Sequence, residues 1–484
     1  MTRSFLLATL LAAGTALGAS VPKVGPKYQP PKAAVPDSFH QQAEAGSNNG
    51  AAIGAWWTTL GDPELTALVE RAVKANLDLK IASSRVLEAR AARRITRADL
   101  LPSIASSNTI QRVRGGPAAS QLNGSFAGPG GSSLPAPGES SIFQLGFDAG
   151  WEIDFFGGRR RALEAATADV AGVDEARRDT LVSLLAEVAR NYAELRGFQR
   201  RLDITNQNIQ LQQDSLDLTR VRAEAGLGTQ LDVERQRAQL DSTRALVPAL
   251  EAAEVQTIHR LGVLLGEQPG TLLNQLVHAK PLPTVPPDVP VGLPADLLKR
   301  RPDLRQAEAR VAAETARVGV ARADLFPKIV LNGFSGRQAN GASALTLGAG
   351  NLFSVGPAIT LPIFTSGKIR ANIEAQKQRL DQALTQYQNT VLRSLEETEN
   401  ALVSYGHEKE REARLVSAVE ASRQATQLAN ELYTRGLSDF LSVLDAQRQQ
   451  LAAEDDLAQS DTVVVTNLVA LYKALGGGWE GAGQ

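Results

Sequence analysis

Residues 143–154 read Phe-Gln-Leu-Gly-Phe-Asp-Ala-Gly-Trp-Glu-Ile-Asp. Every odd position is apolar, and every even position is polar or glycine. Period two sustained over twelve residues predicts a β-strand with one dry and one wet face. Two settings produce that pattern. One is a half-buried sheet in a soluble protein. The other is a tilted membrane strand, which needs about 9–11 residues. A second stretch repeats the pattern, with Phe353, Val355, Ile359, Leu361 and Ile363 on one face and Ser354, Gly356, Ala358 and Thr360 on the other. Shorter β-like segments precede these two, at residues 103–114 and 328–337, and each is separated from its partner by a Gly/Ser/Pro-rich loop. The first such loop, Gly115 to Ser140, reads as a connection without regular structure.

The recurrence extends well beyond the strands. Asp78-Leu79-Lys80 matches Asp303-Leu304-Arg305 at an offset of 225. Without a gap, Ala98-Asp99-Leu100-Leu101-Pro102 then falls on Ala323-Asp324-Leu325-Phe326-Pro327. Further on the offset is 210, pairing Ala225-Gly226-Leu227 with Arg435-Gly436-Leu437 and Leu265-Gly266 with Leu475-Gly476. An ordered series of this length is a duplicated half, far longer than a solenoid unit.

Each half follows one grammar. A helical stretch (about Pro63 to Leu100, and Pro302 to Leu325) stops at Pro102 or Pro327, which lack the amide a helix interior needs. Two strands follow, then a very long stretch without proline, Gly158 to Ala225 or Gly367 to Arg435. The first of these, as a helix of 68 residues, would reach about 100 Å. Apolar residues at Leu202, Ile209 and Leu216 in the first stretch, and at Leu380, Leu384, Tyr387, Val391 and Leu395 in the second, supply a packing stripe along each. Gly226 and Gly436 suit the left-handed position past a helix end, and a returning helix begins near Asp232 or Ser438. The Pro-rich stretch Pro281 to Pro294 links the halves.

Composition narrows the function classes. The chain has 484 residues, a net charge of −1, no cysteine, one methionine and four histidines. Disulfides and thiolate chemistry are excluded, and the charge balance speaks against a nucleic-acid surface. His40, His259, His278 and His407 are scattered without metal-ligand spacing. No phosphate-binding loop or nucleophile elbow is present, so neither enzyme activity, cofactor nor metal is expected. The N-terminus carries Arg3, an apolar run from Phe5 to Leu17 and small residues Gly18, Ala19 and Ser20, the pattern of a cleaved export signal over residues 1–19. The rival reading is a retained anchor, for which the run is short.

These residues resemble the trimeric outer-membrane efflux channels, the TolC-like outer membrane factors, and among them the NodT-type lipoprotein branch that serves resistance-nodulation-division pumps. The carriers are Val24-Gly25-Pro26-Lys27-Tyr28, Trp56-Trp57, Gly61-Asp62-Pro63-Glu64-Leu65, Asn76-Leu77-Asp78-Leu79, Arg301-Pro302-Asp303-Leu304, Trp151 to Gly157, and the two glycine turns. The resemblance implies a mixed α and β chain. Each copy would give four strands to a trimeric twelve-stranded β-barrel, continuous with a long periplasmic α-helical barrel. It implies a belt segment at residues 20–62, a first repeat at 63–266, a linker at 267–300, a second repeat at 301–476 and a tail at 477–484. The implied partners are two further copies of the chain, a periplasmic adaptor, an inner-membrane resistance-nodulation-division transporter and outer-membrane lipid. Serine stands at position 20, where the branch has its lipid-bearing cysteine, and a hydroxyl cannot form that thioether.

By the same resemblance, the functional residues gather at the glycine turns, placed at the periplasmic end of the duct. Leu441 would form an apolar ring and Asp445 an acidic ring, with Arg448 and Tyr433 tying neighbouring helices and Asp232 as the acid of the first half. Where some relatives carry arginine and a second aspartate, this chain has Ser438 and Ser442. The plain alternatives are a surface carboxylate at Asp445 and inter-helix packing at Leu441. Gly226, Leu227, Gly228 and Thr229, with Gly436, Leu437 and Ser438, would meet the adaptor, or simply turn the chain. Arg159, Arg160, Arg161, Lys368 and Arg370 lie where strand becomes helix, beside Trp151, Phe155, Phe156 and Phe364. They suit either a membrane-interface girdle or an ordinary solvated helix start. The expected function is a passive exit channel for small molecules. The alternatives are the exit channel of a protein-secreting system and a soluble periplasmic coiled-coil scaffold.

Overall fold

The computed structural model describes residues 23–33, 35–40, 53–114, 139–286, 289, 294–339, 341 and 350–480. The export signal, Ser20, the first Gly-rich loop, part of the linker and the end of the tail lie outside them. The chain divides into two compact units, one made of residues 1–30, 88–170 and 309–384, the other of 31–87, 171–308 and 385–484.

The first unit is built on one antiparallel sheet of four strands in sequence order: β1 (Ser103–Arg114), β2 (Glu139–Ile153), β3 (Lys328–Ala339) and β4 (Asn351–Thr360). The alternation expected over residues 143–154 lies within β2 up to Ile153, and Asp154 falls one residue past its end. The fourth strand ends at Thr360, so Leu361 and Ile363 fall just past it. Register sets Phe147 against Ser106 and Ser335, Trp151 against Leu331, and Ile359 against Ile329. One face therefore collects Ile104, Ile110, Phe147, Trp151, Leu331 and Phe353. The other carries Ser107, Thr109, Gln144, Asp148, Asn332 and Ser354. The apolar face is bare: Ile104, Phe353 and Ile359 are 74%, 76% and 66% exposed. Among the described residues β1 and β4 each leave one edge unpaired.

The helices make up the second unit and part of the first, and their order shows the duplication. α1 (Pro63–Ala75) and α2 (Leu77–Ala98) precede the first hairpin, and α8 (Pro302–Ala323) precedes the second. After the hairpins come the 67-residue helices α3 (Gly158–Glu224) and α9 (Lys368–Thr434). The returns are α4 (Gln230–Arg244) with α5 (Val247–Leu264) in the first half, and α10 (Phe440–Ala474) in the second. Two short helices, α6 (Leu273–Leu276) and α7 (Pro294–Arg300), lie between the halves.

Two expectations need correction. The stretch Pro63 to Leu100 is not one helix, because Asn76 breaks it with an extended ψ of 133°. Its side-chain oxygen accepts from Leu79 N at 2.9 Å and so caps α2, while its amide donates to Leu264 O at 2.9 Å and ties the break to the end of α5. The first return is likewise two helices. Pro248, in the first turn of α5, has no amide to continue the ladder from α4, whereas α10 runs unbroken for 35 residues.

The sequence motifs prove to be packing devices. Asp62 caps α1, accepting from Glu64 N and Leu65 N, and its other oxygen accepts from the Tyr192 hydroxyl at 2.7 Å. Glu64 then pairs with the fully buried Arg196 at 2.5 Å and with Lys280 at 2.9 Å. Burial alone would raise the Glu64 pKa, but Lys280, Arg196 and Gln275 overcome it and hold the carboxyl below its ordinary range. Arg301 binds Asp303, Glu397 and the Ala474 carbonyl. Trp56 stacks on Tyr472 with centroids 5.1 Å apart.

Candidate functional site

The two glycine turns share one construction. Gly226 (φ 71°) and Gly436 (φ 74°) both occupy the left-handed region. Leu227 N donates back to Arg222 O at 2.8 Å, and Leu437 N to Leu432 O at 2.9 Å, so each long helix closes with the six-to-one bond of a Schellman end. A Cβ added at either glycine would meet nothing within 4 Å. The requirement for glycine here is backbone conformation, not space.

Each return helix then starts on its own cap. Thr229 caps α4 in a reciprocal box with Asp232, whose side chain accepts from Thr229 Oγ1 at 2.6 Å. In the second half the cap is Asp439, one residue past Ser438. Its carboxylate accepts from Ser442 N at 3.1 Å and Ser442 Oγ at 2.7 Å. Those two bonds lower the Asp439 pKa. Asp232 thus lies at the position equivalent to Ser442, not Asp445, and its oxygen is engaged in its own helix start.

Tyr433 is buried, 6% exposed, in a cluster with Phe440, Val443 and Leu444. Its ring meets Phe440 edge-on at 5.4 Å and lies beneath the Arg222 guanidinium at 4.7 Å. Arg222 also donates to Thr434 O at 3.1 Å. The end of α3 is thereby tied to the end of α9. Arg448 makes a second tie, donating from Nε to Gln239 Oε1 at 2.6 Å, which joins α10 to α4. Leu441 is 51% exposed, and Asp445 is exposed, accepting from Gln449 on its own helix at 2.8 Å. Leu227, Leu231 and Leu437 are also bare, at 68%, 58% and 71%. The structure brings Tyr433 and Arg448 into inter-helix contacts within the chain, and leaves Leu441, Asp445 and the turn leucines facing outward.

Arg222, Gln239 and Asp439 are contributors that the sequence reading does not single out. Asp439 follows the turn glycine at the distance of a helix cap, a signal that is available. Arg222 and Gln239 carry none, since each acts on a residue about 210 positions away.

At the first strand-to-helix junction the three arginines are anchored, whereas Lys368 and Arg370 at the second are exposed. Arg159 donates to Glu152 at 2.6 Å, and Arg160 to Asp154 at 3.0 Å. Arg161, 3% exposed in its side chain, reaches Glu164 and the carbonyls of Val24 and Gly25. The N-terminal segment is further held where Gly25 meets Gly319, with room for no side chain between them. Trp151 Nε1 donates to Leu100 O at 2.9 Å, and Phe156 stacks on Phe326 at 4.7 Å. Phe155 and Phe364 are 50% and 87% exposed. A belt of rings and charges thus rims the helix end of the sheet.

Among the described residues no helix is long and apolar enough to cross a membrane. No group of His, Asp and Glu among them is arranged to hold a metal ion.

Comparison with known proteins supplies independent findings. The family model described as outer membrane efflux protein matches residues 68–267 and 293–477. Nodulation protein T of Rhizobium leguminosarum bv. trifolii is 32% identical over 462 residues, spanning 94% of each chain. The toluene efflux pump outer membrane protein TtgC of Pseudomonas putida is 31% identical over 466 residues, spanning 95% of this chain and 93% of its own. Among solved structures, the outer-membrane channel OprN superposes with a TM-score of 0.87 at 39% identity, covering 95% of this chain and all of its own.

Proposed function

The chain belongs to the outer membrane efflux protein family, and we propose that three copies of it form one passive conduit across the outer membrane. It is the exit channel of an efflux system and works in the outer membrane with a large periplasmic portion. Three copies of a four-stranded sheet close a twelve-stranded barrel, and their long helices line the periplasmic duct. The observation that carries this reading is the sheet itself. It has one apolar face, one polar face and, among the described residues, two open edges. Lipid tolerates no open edge, because every unpaired backbone group there costs several kcal/mol. Closure through neighbouring copies satisfies both edges and turns the apolar faces to the membrane.

The conduit receives its cargo from a periplasmic adaptor and an inner-membrane resistance-nodulation-division transporter, which provides the energy. The bare leucines at the glycine turns are the adaptor's docking points. Leu441 and Asp445 from three chains converge as the apolar and acidic constrictions of the gate. Arg448 and Tyr433 hold the helices that carry them. A ring of three carboxylates repels itself and attracts cations, so it restricts passage by charge as well as size.

Light scattering on the detergent-extracted protein, after separation of inner from outer membranes, tests the assembly. A particle of three chains from the outer-membrane fraction is expected. A monomer released without detergent would overturn the channel.

A further inference from the structure

The apolar face of the sheet holds only two charged residues among its described side chains, and both are arginines. Register assigns Arg112 of β1 and Arg337 of β3 to the face that carries Phe147 and Trp151. Arg112 pairs with Ser141, and Arg337 pairs with Leu145 on one side and Asn351 on the other. Both side chains are exposed. Asp148 and Glu152, the strand acids among the described side chains, lie on the opposite face.

Their position along the strands is as selective as their sign. All four strands meet the helices at the end marked by Ser103, Ile153, Lys328 and Thr360. Arg112 is nine residues beyond Ser103, and Arg337 nine beyond Lys328, so both lie toward the hairpin end. Ser141 and Leu145 are four residues apart on β2, which puts the two arginine Cα atoms about 17 Å apart across the sheet at 3.4 Å per residue and 4.8 Å per strand. On a lipid-facing surface an arginine is costly at mid-membrane and costs almost nothing at the interface. A guanidinium at the interface holds phosphate in a bidentate grip.

We propose that Arg112 and Arg337 form a docking surface for the phosphorylated glycolipid headgroups of the outer leaflet. The inference rests on the channel reading, which turns the hairpin end outward. Each chain offers both guanidiniums to the phosphates of the surrounding lipid. The contact fixes the height of the barrel in the membrane and packs a shell of this lipid around it. Near a charged membrane surface one arginine is worth about fivefold in lipid affinity.

The test uses the full-length protein in nanodiscs containing lipopolysaccharide and phosphatidylethanolamine. Bound lipopolysaccharide per protein is measured for the wild type, the Arg112→Gln/Arg337→Gln variant and the Arg112→Lys/Arg337→Lys variant, alongside single-channel conductance. The expected result is at least a tenfold weaker retention in the glutamine variant (two arginines at about fivefold each). The lysine variant should be intermediate, with conductance unchanged throughout. Equal retention by the wild type and the glutamine variant overturns the proposal, as does equal retention by the wild type of lipopolysaccharide stripped of its phosphates. If the wild type conducts but the lipid preference is absent, this inference alone fails. If the wild type does not conduct, the channel reading fails first.

Discussion

The Arg222 guanidinium lies 4.7 Å from the centroid of the Tyr433 ring, so the ends of the two longest helices are clasped by residues from opposite halves of the duplicated chain. The Tyr433 hydroxyl is buried with no hydrogen-bond partner among the described residues, which leaves the ring face and the Thr434 carbonyl as the points of contact with Arg222. A cation over an aromatic ring at a partly exposed site contributes about 0.5–1 kcal/mol. Arg222→Ala should therefore let both turns open more often while the rest of the fold persists. Hydrogen exchange at residues 223–227 and 434–437 is expected to speed up a few-fold, with Arg222→Lys between the variant and the wild type. Unchanged exchange would remove the clasp from any role in holding the turns together.

Asp445 has no ion-pair partner among the described residues of its own chain, only the Gln449 amide. If three copies converge on the axis, Asp445→Ala removes three negative charges from the narrowest point. Single-channel conductance and leak of a large antibiotic should both rise, and cation preference should fall. Normal assembly with unaltered leak and selectivity would return Asp445 to the status of a surface carboxylate.

At Gly436 the cost of a side chain is conformational alone, since nothing lies within 4 Å of the added carbon. Holding a branched residue at φ 74° costs about 1–2 kcal/mol. Gly436→Val should leave trimers intact and reshape the turn that presents Leu437. Drug resistance in cells is expected to drop, with protein levels maintained. Full resistance would show that the adaptor does not read this turn.

Asp461 offers a pH test. Burial, reinforced by the charge of Glu412 and opposed by Arg200, pushes its carboxyl up to about 6. A folded-state pKa above the unfolded value means the native state binds more protons between the two. Stability therefore falls as pH rises through that window. Asp461→Asn should raise the melting temperature at pH 7.5 and change it little near pH 4. Equal shifts at both pH values would show that the ionised carboxylate is not the source of strain.

How much of this is legible in the sequence follows from the range of each interaction. The strand at 143–154 and the glycine turns announce themselves because their cause is local: alternation on one strand, and a φ that only glycine holds without strain. The repeat is legible because both halves solve the same local problems. Asn76 and Pro248 are visible residues whose effect is masked, since the apolar pattern continues across both breaks. The partners of Tyr433 and Arg448, and the burial of Arg161 beneath the N-terminal segment, depend on residues far away in sequence. Spacing carries no trace of them. Asp232 shows the opposite hazard. It looks like a counterpart of Asp445, but its capping box with Thr229 accounts for it locally.

The broken first return and the unbroken second one make the two halves mechanically unequal. The joint between Arg244 and Val247 interrupts a helix whose twin α10 is a single rod. If three such chains close a ring as proposed, jointed and unjointed hairpins would alternate around its circumference. Such a ring would not widen like a round iris. It would open as a rounded triangle, the jointed hairpins yielding at three corners and the rods holding the sides.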